Sequence, residues 1–418
     1  MRRVRENALC SAMAAAGCAT LAWLGLYGFA WSDYENEARP AFEALAHGHP
    51  LAFLQLAPAY GGSLIERAPF ALIPGLWGGG ELAVYRMVAL PCLLASAVLG
   101  VYLLTRMRSA GRSTLAKAVT LGLCVANPIT LVALELGHPE EVLGACLCVG
   151  AVLASARGRV LWAGLLLGLA IANKEWALIA AGPVLLALEP RRRGACLGVA
   201  AAVSVAILAP LALASSGGFA GGTRAVASTT STIFQPWQLW WFLGHHGALV
   251  HGAFGVPKPG YRIGPAWTGL ISHPLVIAVG AAVAVSLWLR GARRTPLDPQ
   301  DAVLALALVL LARCLLDTWD AVYYALPFLL ALLAWESQRS RPPMLALSST
   351  VLVWLSFQWL AQHASPDVQA AVFLGWSLPL LLALGLLLYA PSRLAGTWRS
   401  RPPELTGGRS RRPQATPI

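Results

Sequence analysis

The chain has 418 residues, of which 57% are hydrophobic and 12% are charged, and its mean hydropathy is +0.63. Soluble globular proteins carry about twice that share of charged residues, so this composition excludes a soluble enzyme and indicates an integral membrane protein. The formal net charge of +12 comes from short basic groups between apolar runs. Such a distribution marks membrane topology and argues against a nucleic-acid partner.

The N-terminal segment has Arg2, Arg3 and Arg5 ahead of an apolar run that continues to Trp31. A signal peptide is the alternative, with Ala16-Gly17-Cys18 as a lipoprotein-like cleavage site. A signal-peptide core has about 7 to 15 apolar residues, and this run is longer. The sequence therefore predicts an uncleaved first membrane helix over residues 8–31.

About twelve apolar runs predict membrane-spanning helices, because a span needs about 20 apolar residues. They lie near residues 8–31, 82–104, 117–136, 142–156, 160–173, 176–189, 195–214, 270–290, 301–316, 322–336, 344–362 and 370–390.

Basic groups occupy every second connection between these runs. The excess of Lys and Arg in cytoplasmic loops then places both termini inside the cell and the long loops 32–81 and 215–269 outside. The eight cysteines all lie in apolar segments, so the external loops carry no disulfide framework. We expect one cell-membrane domain over residues 1–392 and a disordered, basic cytoplasmic tail over 393–418, which is rich in Pro, Arg and Gly.

An acidic stretch follows the first predicted helix, and it admits two compatible interpretations. Ser32-x-x-Glu35 is a capping box that would start a surface helix, with an apolar stripe of Tyr34, Ala38, Phe42 and Leu45. Asp33 would then be left to point into an external cavity, where a half-dehydrated carboxylate can act as a base.

The runs 160–173 and 176–189 are too short to cross a membrane fully. Each gives about 20 Å of helix against about 30 Å of hydrocarbon, so Asn173-Lys174-Glu175 should lie below the outer surface. A lysine at that depth needs either a wet cavity or a partner such as Glu175.

Polar groups recur at the predicted external helix ends. This repetition indicates a shared site, because helices that only span the membrane would not need charged side chains at the same depth. For single groups the structural alternatives are a His138-Pro139 turn with first-turn glutamates and an interfacial Tyr323-Tyr324 pair. The groups are Asp33 to Glu37, Gly137-His138-Pro139-Glu140-Glu141, Asn173-Lys174-Glu175, and Arg313 through Asp317 and Asp320 to Tyr323-Tyr324.

These motifs resemble the GT-C membrane glycosyltransferases, and among them the family 87 polyprenyl-phosphate-mannose-dependent mannosyltransferases of actinobacteria. The similarity covers the layout of residues 8–390, but family members often have Gly-Gln where this chain has Gly137-His138. It is carried by Asp33, by Ala126-Asn127-Pro128 with Gly137 to Glu141, by Ala163-Gly-Leu-Leu-Leu-Gly-Leu-Ala170 with Lys174, and by Asp317-x-Trp319-x-x-x-Tyr323-Tyr324-x-x-Pro327.

The resemblance implies an all-α, polytopic GT-C fold with extracytoplasmic loop helices. It further implies transfer of a hexose, with mannose as first choice, from a polyprenyl-phosphate donor to a lipid or glycan acceptor, with inversion. Asp33 would be the general base, and Lys174, Arg67 or Arg262 would bind the donor phosphate. The expected sugar- or acceptor-binding residues are Glu35, His138, Glu140, Glu141, Asp317, Asp320, Tyr323 and Tyr324.

The sequence shows neither a glycine-rich nucleotide loop nor a metal cluster, so we expect no metal and no cofactor beyond the lipid-linked donor. A transporter or flippase of lipid-linked sugars is the alternative, but it would favour internal repeats, and none is visible. A membrane scaffold would leave the costly Lys174 unexplained.

Overall fold

A computed structural model describes residues 17, 33–214, 234–246, 250–251 and 257–390. This part of the chain is almost entirely helical, with two pairs of two-residue antiparallel strands. The predicted all-α class is confirmed. The first predicted span, apart from Gly17, and the predicted tail lie outside the described residues.

The helices alternate with short connections along the described chain. In chain order they are α1 (Arg39–Ala46), α2 (Pro50–Leu56), α3 (Gly61–Ala71), α4 (Glu81–Ser109), α5 (Thr114–Val125), α6 (Pro128–Leu136), α7 (Glu140–Ser155), α8 (Val160–Asn173), α9 (Ala181–Leu186), α10 (Arg193–Ala214), α11 (Ala266–Leu287), α12 (Pro299–Leu316), α13 (Ala325–Ser337), α14 (Met344–Trp354), α15 (Leu360–His363) and α16 (Pro366–Tyr389).

Shorter elements extend or join these helices. Turns of 3₁₀-helix lie at Ile73–Trp77, Glu175–Ala180, Pro190–Arg192, Trp241–Leu243 and Val322–Tyr324, and π-helical turns at Tyr34–Ala38, Trp288–Ala292 and Leu355–Trp359. Strand β1 (His245–His246) pairs with β4 (Arg262–Ile263), and β2 (Val250–His251) pairs with β3 (Pro257–Lys258).

Seven helical segments of the described chain are long and apolar enough to cross a membrane. The other predicted spans within the described residues are shorter helices: α7, α8, Glu175–Leu186 and Val322–Ser337. Every predicted span inside the described part is therefore helical, and the chain is a polytopic α-helical membrane protein. The seven segments are Glu81–Ser109, Thr114–Leu136, Pro190–Ala214, Ala266–Ala292, Pro299–Leu316, Met344–His363 and Pro366–Tyr389.

The basic connections meet at one end of the helix bundle, as an alternating path of helices requires. Hydrogen bonds between them run from Arg112 Nη2 to Gln338 O, from Arg192 Nη1 to Gly158 O and from Arg290 Nη2 to Tyr389 O. The polar candidate groups lie at the opposite helix ends and contact one another there.

Helix α12 forms the centre of the bundle, and α8 packs closely on α10. In α12, 83% of the residues are buried. In the most apolar stretches of Pro190–Ala214, Ala266–Ala292 and α16 only 22% are buried, so these three helices lie at the perimeter of the bundle. A Cβ at Gly168 would lie 2.6 Å from Ala200 O, so this small-residue face lets the two helix backbones approach closely.

Helices α1 to α3 form a separate apolar cluster above α4. Tyr34, Ala38 and Phe42 are buried and Leu45 packs against them, which confirms the predicted stripe. The expected capping box stays a prediction, because its Ser32 lies outside the described residues. Asp33, which precedes the π-helical turn, is in helical conformation, and its own side chain makes no cap hydrogen bond.

Candidate active site

A glycine turn places His138 beside Asp33. Helix α6 begins at Pro128, where the Asn127 side chain accepts a hydrogen bond from Ile129 N at 2.9 Å. It ends at Gly137, whose φ is +91°, and a Cβ there would lie 2.5 Å from the backbone nitrogen of Tyr34. Only glycine tolerates both conditions, so this position fixes the approach of the two segments.

His138 joins an exposed carboxylate to a buried one. Its Nε2 lies 3.3 Å from Asp33 Oδ2, and its Nδ1 lies 2.8 Å from Glu140 Oε1. The Asp33 side chain is 43% exposed and that of Glu140 is 1% exposed. Asp33, His138 and Glu140 therefore form a row that runs from the protein surface into the interior.

Glu140 is held by two cations from separate helices. Arg67 Nη2 of α3 lies 3.3 Å from Glu140 Oε2, and Lys174 Nζ at the end of α8 lies 3.3 Å from Oε1. The Arg67 Nε also donates to Ser63 O at 3.0 Å, which fixes the guanidinium. Asn173 Nδ2 donates to the backbone oxygen of Glu140 at 2.9 Å.

Lys174 lies where helix α8 stops and the backbone becomes extended. Its Nζ is also 3.6 Å from Glu141 Oε1 and 4.0 Å from the centre of the Tyr60 ring. The Lys174 side chain is 10% exposed and so is buried within the protein, while its depth relative to the membrane surface stays a prediction. The alternative of a Lys174–Glu175 pair is wrong in its partner, because the ion pairs go to Glu140 and Glu141.

Arg313 completes the charged group from the end of α12. Its Nη1 lies 3.9 Å from Glu141 Oε2, and its guanidinium covers the rings of Trp176 and Tyr324. The sequence analysis noted Arg313 only as the start of a motif and gave it no role. An arginine inside a predicted span was the available signal. We call Arg67, Glu140, Glu141, Lys174 and Arg313 the Glu140 cluster.

The loop after α12 contributes the predicted aspartates. Asp317 accepts from Trp319 N at 3.0 Å and lies 3.7 Å from His273 Nε2. Asp320 is 2% exposed, and within the described chain neither carboxyl oxygen has a hydrogen-bond partner. Burial, reinforced by the charge of Asp317, raises the pKa of Asp320 well above its usual range.

The two tyrosines face different parts of the site. The ring of Tyr323 lies 4.5 Å from that of His138, at the Asp33 end. The ring of Tyr324 lies under the Arg313 guanidinium at 4.3 Å, at the inner end. Tyr323 therefore lies at the Asp33 end of the site, and Tyr324 lies against the Arg313 side of the Glu140 cluster.

Two predicted site residues lie elsewhere. Arg262 forms a two-point ion pair with Asp367, at 2.8 and 2.9 Å, and donates to Gly244 O. No ion pair joins it to the Glu140 cluster in the described part of the chain. Glu35 is exposed and lies 4.0 Å from Arg39 on the outer surface.

His138 is surrounded so that its cationic form is favoured. Burial by itself lowers the pKa of His138, but the negative charge of Glu140 and the hydrogen bonds with Asp33 and Glu140 outweigh it. The result is a pKa of about 9. At neutral pH the site therefore contains an imidazolium between two carboxylates.

Comparison with known proteins adds one positive finding. No curated protein matches the chain significantly. The sequence profile of glycosyltransferase family 87 matches residues 62–318, a stretch that includes the whole Glu140 cluster, His138 and Asp317. Because this match covers more than half of the sequence, the chain belongs to glycosyltransferase family 87 and is a membrane glycosyltransferase.

Proposed function

We propose that this glycosyltransferase transfers a hexose, with mannose as first candidate, from a polyprenyl-phosphate sugar to a lipid or glycan acceptor. The observation that carries the proposal is a half-exposed carboxylate, Asp33, next to a buried cluster in which cations outnumber carboxylates. Arg67, Lys174 and Arg313 are three positive charges, and Glu140 and Glu141 are two negative ones. The surplus positive charge favours a phosphate near the cluster.

Lys174 is the cation best placed to meet that phosphate. Its side chain is 10% exposed, whereas those of Arg67 and Arg313 are 1% and 5% exposed. Arg67, which the sequence analysis also named as a phosphate ligand, serves in this proposal to hold Glu140.

The reaction is a single displacement at the anomeric carbon. The acceptor oxygen attacks this carbon while its proton passes to Asp33, and the bond from the anomeric carbon to the phosphate oxygen breaks. Polyprenyl phosphate leaves with the bonding electron pair, and Lys174 stabilises the developing charge. Attack opposite the leaving group inverts the anomeric configuration. The proposal needs no metal and no cofactor besides the donor.

We place the site on the extracytoplasmic side and both termini in the cytoplasm. This orientation is supported by the basic connections, which meet at the end of the bundle opposite the Glu140 cluster. A reporter fused at Gly48 should read external, and one fused at Gly111 should read cytoplasmic. The reverse result would overturn the orientation.

A donor assay tests the proposed reaction. The purified full-length protein in lipid nanodiscs would receive polyprenyl-phosphate-mannose or a GDP-mannose control, with a membrane lipid extract as acceptor source. We expect release of polyprenyl phosphate and a mannosylated product of inverted configuration, also in the presence of EDTA. Transfer from GDP-mannose alone would overturn the donor assignment, and transfer of a different polyprenyl-linked hexose would overturn mannose only.

A further inference from the structure

The two ring nitrogens of His138 both face carboxylate oxygens. A neutral imidazole has one N–H and can donate only one hydrogen bond, whereas the imidazolium donates two. Contacts of 3.3 Å to Asp33 and 2.8 Å to Glu140 thus both become favourable only when His138 carries two protons. The geometry therefore selects the charged form.

The carboxylate on the Glu140 side of His138 is fixed more firmly than the carboxylate of Asp33 on the other side. Glu140 is buried and held by Arg67 and Lys174, while Asp33 is half-exposed. The contact with His138 involves Asp33 Oδ2, and no hydrogen bond to Oδ1 is found among the described residues. One carboxylate oxygen is thereby held while the other can meet an incoming hydroxyl.

We propose that His138 is a positioning residue, an imidazolium anchored by Glu140 that orients Asp33 for removal of the acceptor proton. The inference rests on the proposed function, because it takes Asp33 as the base. It differs from the sequence prediction, in which His138 contacts sugar or acceptor directly. His138 has a titratable ring, so the activity acquires a pH limit that a glutamine amide at this position would lack.

Charged and titratable groups face His138 from its own segment and from four others. Asp33 and Glu140 favour its protonation, and Lys174 opposes it. The rings of Tyr60 and Tyr323 lie 5.9 and 4.5 Å away, and burial raises the pKa of the Tyr60 phenol well above the usual value. Burial alone lowers the pKa of Lys174, but Glu140 and Glu141 outweigh it and raise that pKa. Of these groups His138 should therefore be the first to lose its proton in alkali.

Loss of that proton leaves one ring nitrogen with a lone pair directed at a carboxylate. The Asp33 carboxylate then loses its fixed orientation, so kcat should fall as the pH rises through about 9 while donor KM changes little. A residue that bound the sugar directly would instead raise KM.

The test compares pH profiles of kcat and donor KM for wild type, His138→Gln and His138→Ala, with polyprenyl-phosphate-mannose as donor. The glutamine amide donates one hydrogen bond but does not titrate between pH 6 and 10. We expect His138→Gln to lose about tenfold in kcat at pH 7 and to lack the alkaline fall, and His138→Ala to lose about a hundredfold. The exposed His47 has one side-chain hydrogen bond within the described part of the chain, to Glu43 O of its own helix, and the control His47→Gln should show an unchanged profile.

Three outcomes would overturn the inference: an alkaline fall that persists in His138→Gln, wild-type kcat in both His138 variants, or an effect confined to KM. Thermal unfolding of each variant separates loss of fold from loss of positioning, and His138→Gln remains decisive if His138→Ala fails to fold. Failure of the proposed function is distinct, because it would appear as full activity of Asp33→Asn whatever the His138 variants do.

Discussion

The Glu140 cluster and the Arg262–Asp367 pair are two ionic groups at helix ends, and they differ in burial and in the balance of positive and negative charges. In the cluster, Glu140 and Glu141 are at most 1% exposed and are shared among three cations. In the pair, Arg262 is 17% and Asp367 38% exposed, and the two charges meet one to one. The Glu140 cluster is buried and has one more positive than negative charge, whereas the Arg262–Asp367 pair is partly exposed to solvent and has no net charge.

The difference indicates which of the two ionic groups is the better candidate for binding an anionic substrate. This balanced two-point pair, together with a hydrogen bond from Trp241, ties strand β4 and the turn at Trp241–Leu243 onto α16 and leaves no charge over. Burying several charges costs folding free energy that their mutual attraction often fails to recover. A group that keeps surplus charge despite this cost is the better candidate for binding an anion.

The largest expected effect is at the exposed end of the row that leads into the cluster. Asp33→Asn keeps the size of the side chain and one hydrogen-bonding oxygen but cannot accept a proton at neutral pH. Turnover should fall by about two to four orders of magnitude, with donor affinity nearly unchanged. Turnover would be measured on purified protein, and donor affinity by titration with a non-transferable polyprenyl-phosphate sugar analogue.

Turnover of Asp33→Asn within tenfold of wild type would contradict the base assignment. Asp317 and Glu140 would then be the remaining carboxylate candidates. Glu140 is the weaker of the two, because its carboxylate is already shared by Arg67, Lys174 and His138.

The next largest effect is expected at Lys174. Lys174→Met leaves Glu141 with Arg313 alone, at 3.9 Å, and should cost about 3 kcal/mol of stability together with about 10- to 100-fold of donor affinity. The double variant Lys174→Met/Glu141→Gln removes the unpaired charge. It should recover much of the unfolding temperature without recovering donor affinity. Recovery of both would show that Lys174 is purely structural and would remove the contrast with Arg262.

Much of the fold was predictable from sequence for a simple physical reason. Apolar runs of membrane length and basic connections are local signals, and every predicted span in the described chain is a helix. The convergence of His138, Glu140 and Lys174 was predictable too, because alternate connections must share a side. Membership of a glycosyltransferase family also favours an enzyme over the transporter alternative.

The pairing of charges was not predictable in this way. Lys174 meets Glu140 rather than its neighbour Glu175, because α8 ends at Asn173 and the chain then turns into an extended residue. Arg67 and Arg262 looked equivalent as loop arginines. Only the fold shows that Arg67 is buried against Glu140 and that Arg262 finds its partner 105 residues away at Asp367.

A smaller effect is expected at the Arg262–Asp367 pair. Arg262→Met should loosen the segment around strands β1 and β4, at a cost of at most about 1 kcal/mol because Asp367 is partly exposed. Hydrogen exchange should rise at residues 257–263, while donor affinity and turnover stay within threefold of wild type. Arg262→Lys, which keeps the charge but loses the two-point contact, is the matched control. A tenfold loss of donor affinity in Arg262→Met that Arg262→Lys restores would make Arg262 a phosphate ligand and erase the comparison.

The smallest effect is expected two residues beyond Asp33. Glu35 faces Arg39 on the outer surface, and Arg39 keeps Glu43 at 2.8 Å and Glu81 at 2.7 Å when Glu35 is changed. Glu35→Gln should therefore leave turnover within twofold of wild type, measured beside Asp33→Asn in the same preparation. A fall in unfolding temperature without loss of turnover would support the capping role predicted from sequence. A fall in turnover comparable to that of Asp33→Asn would instead place Glu35 in the acceptor site, which would then extend outward beyond Asp33.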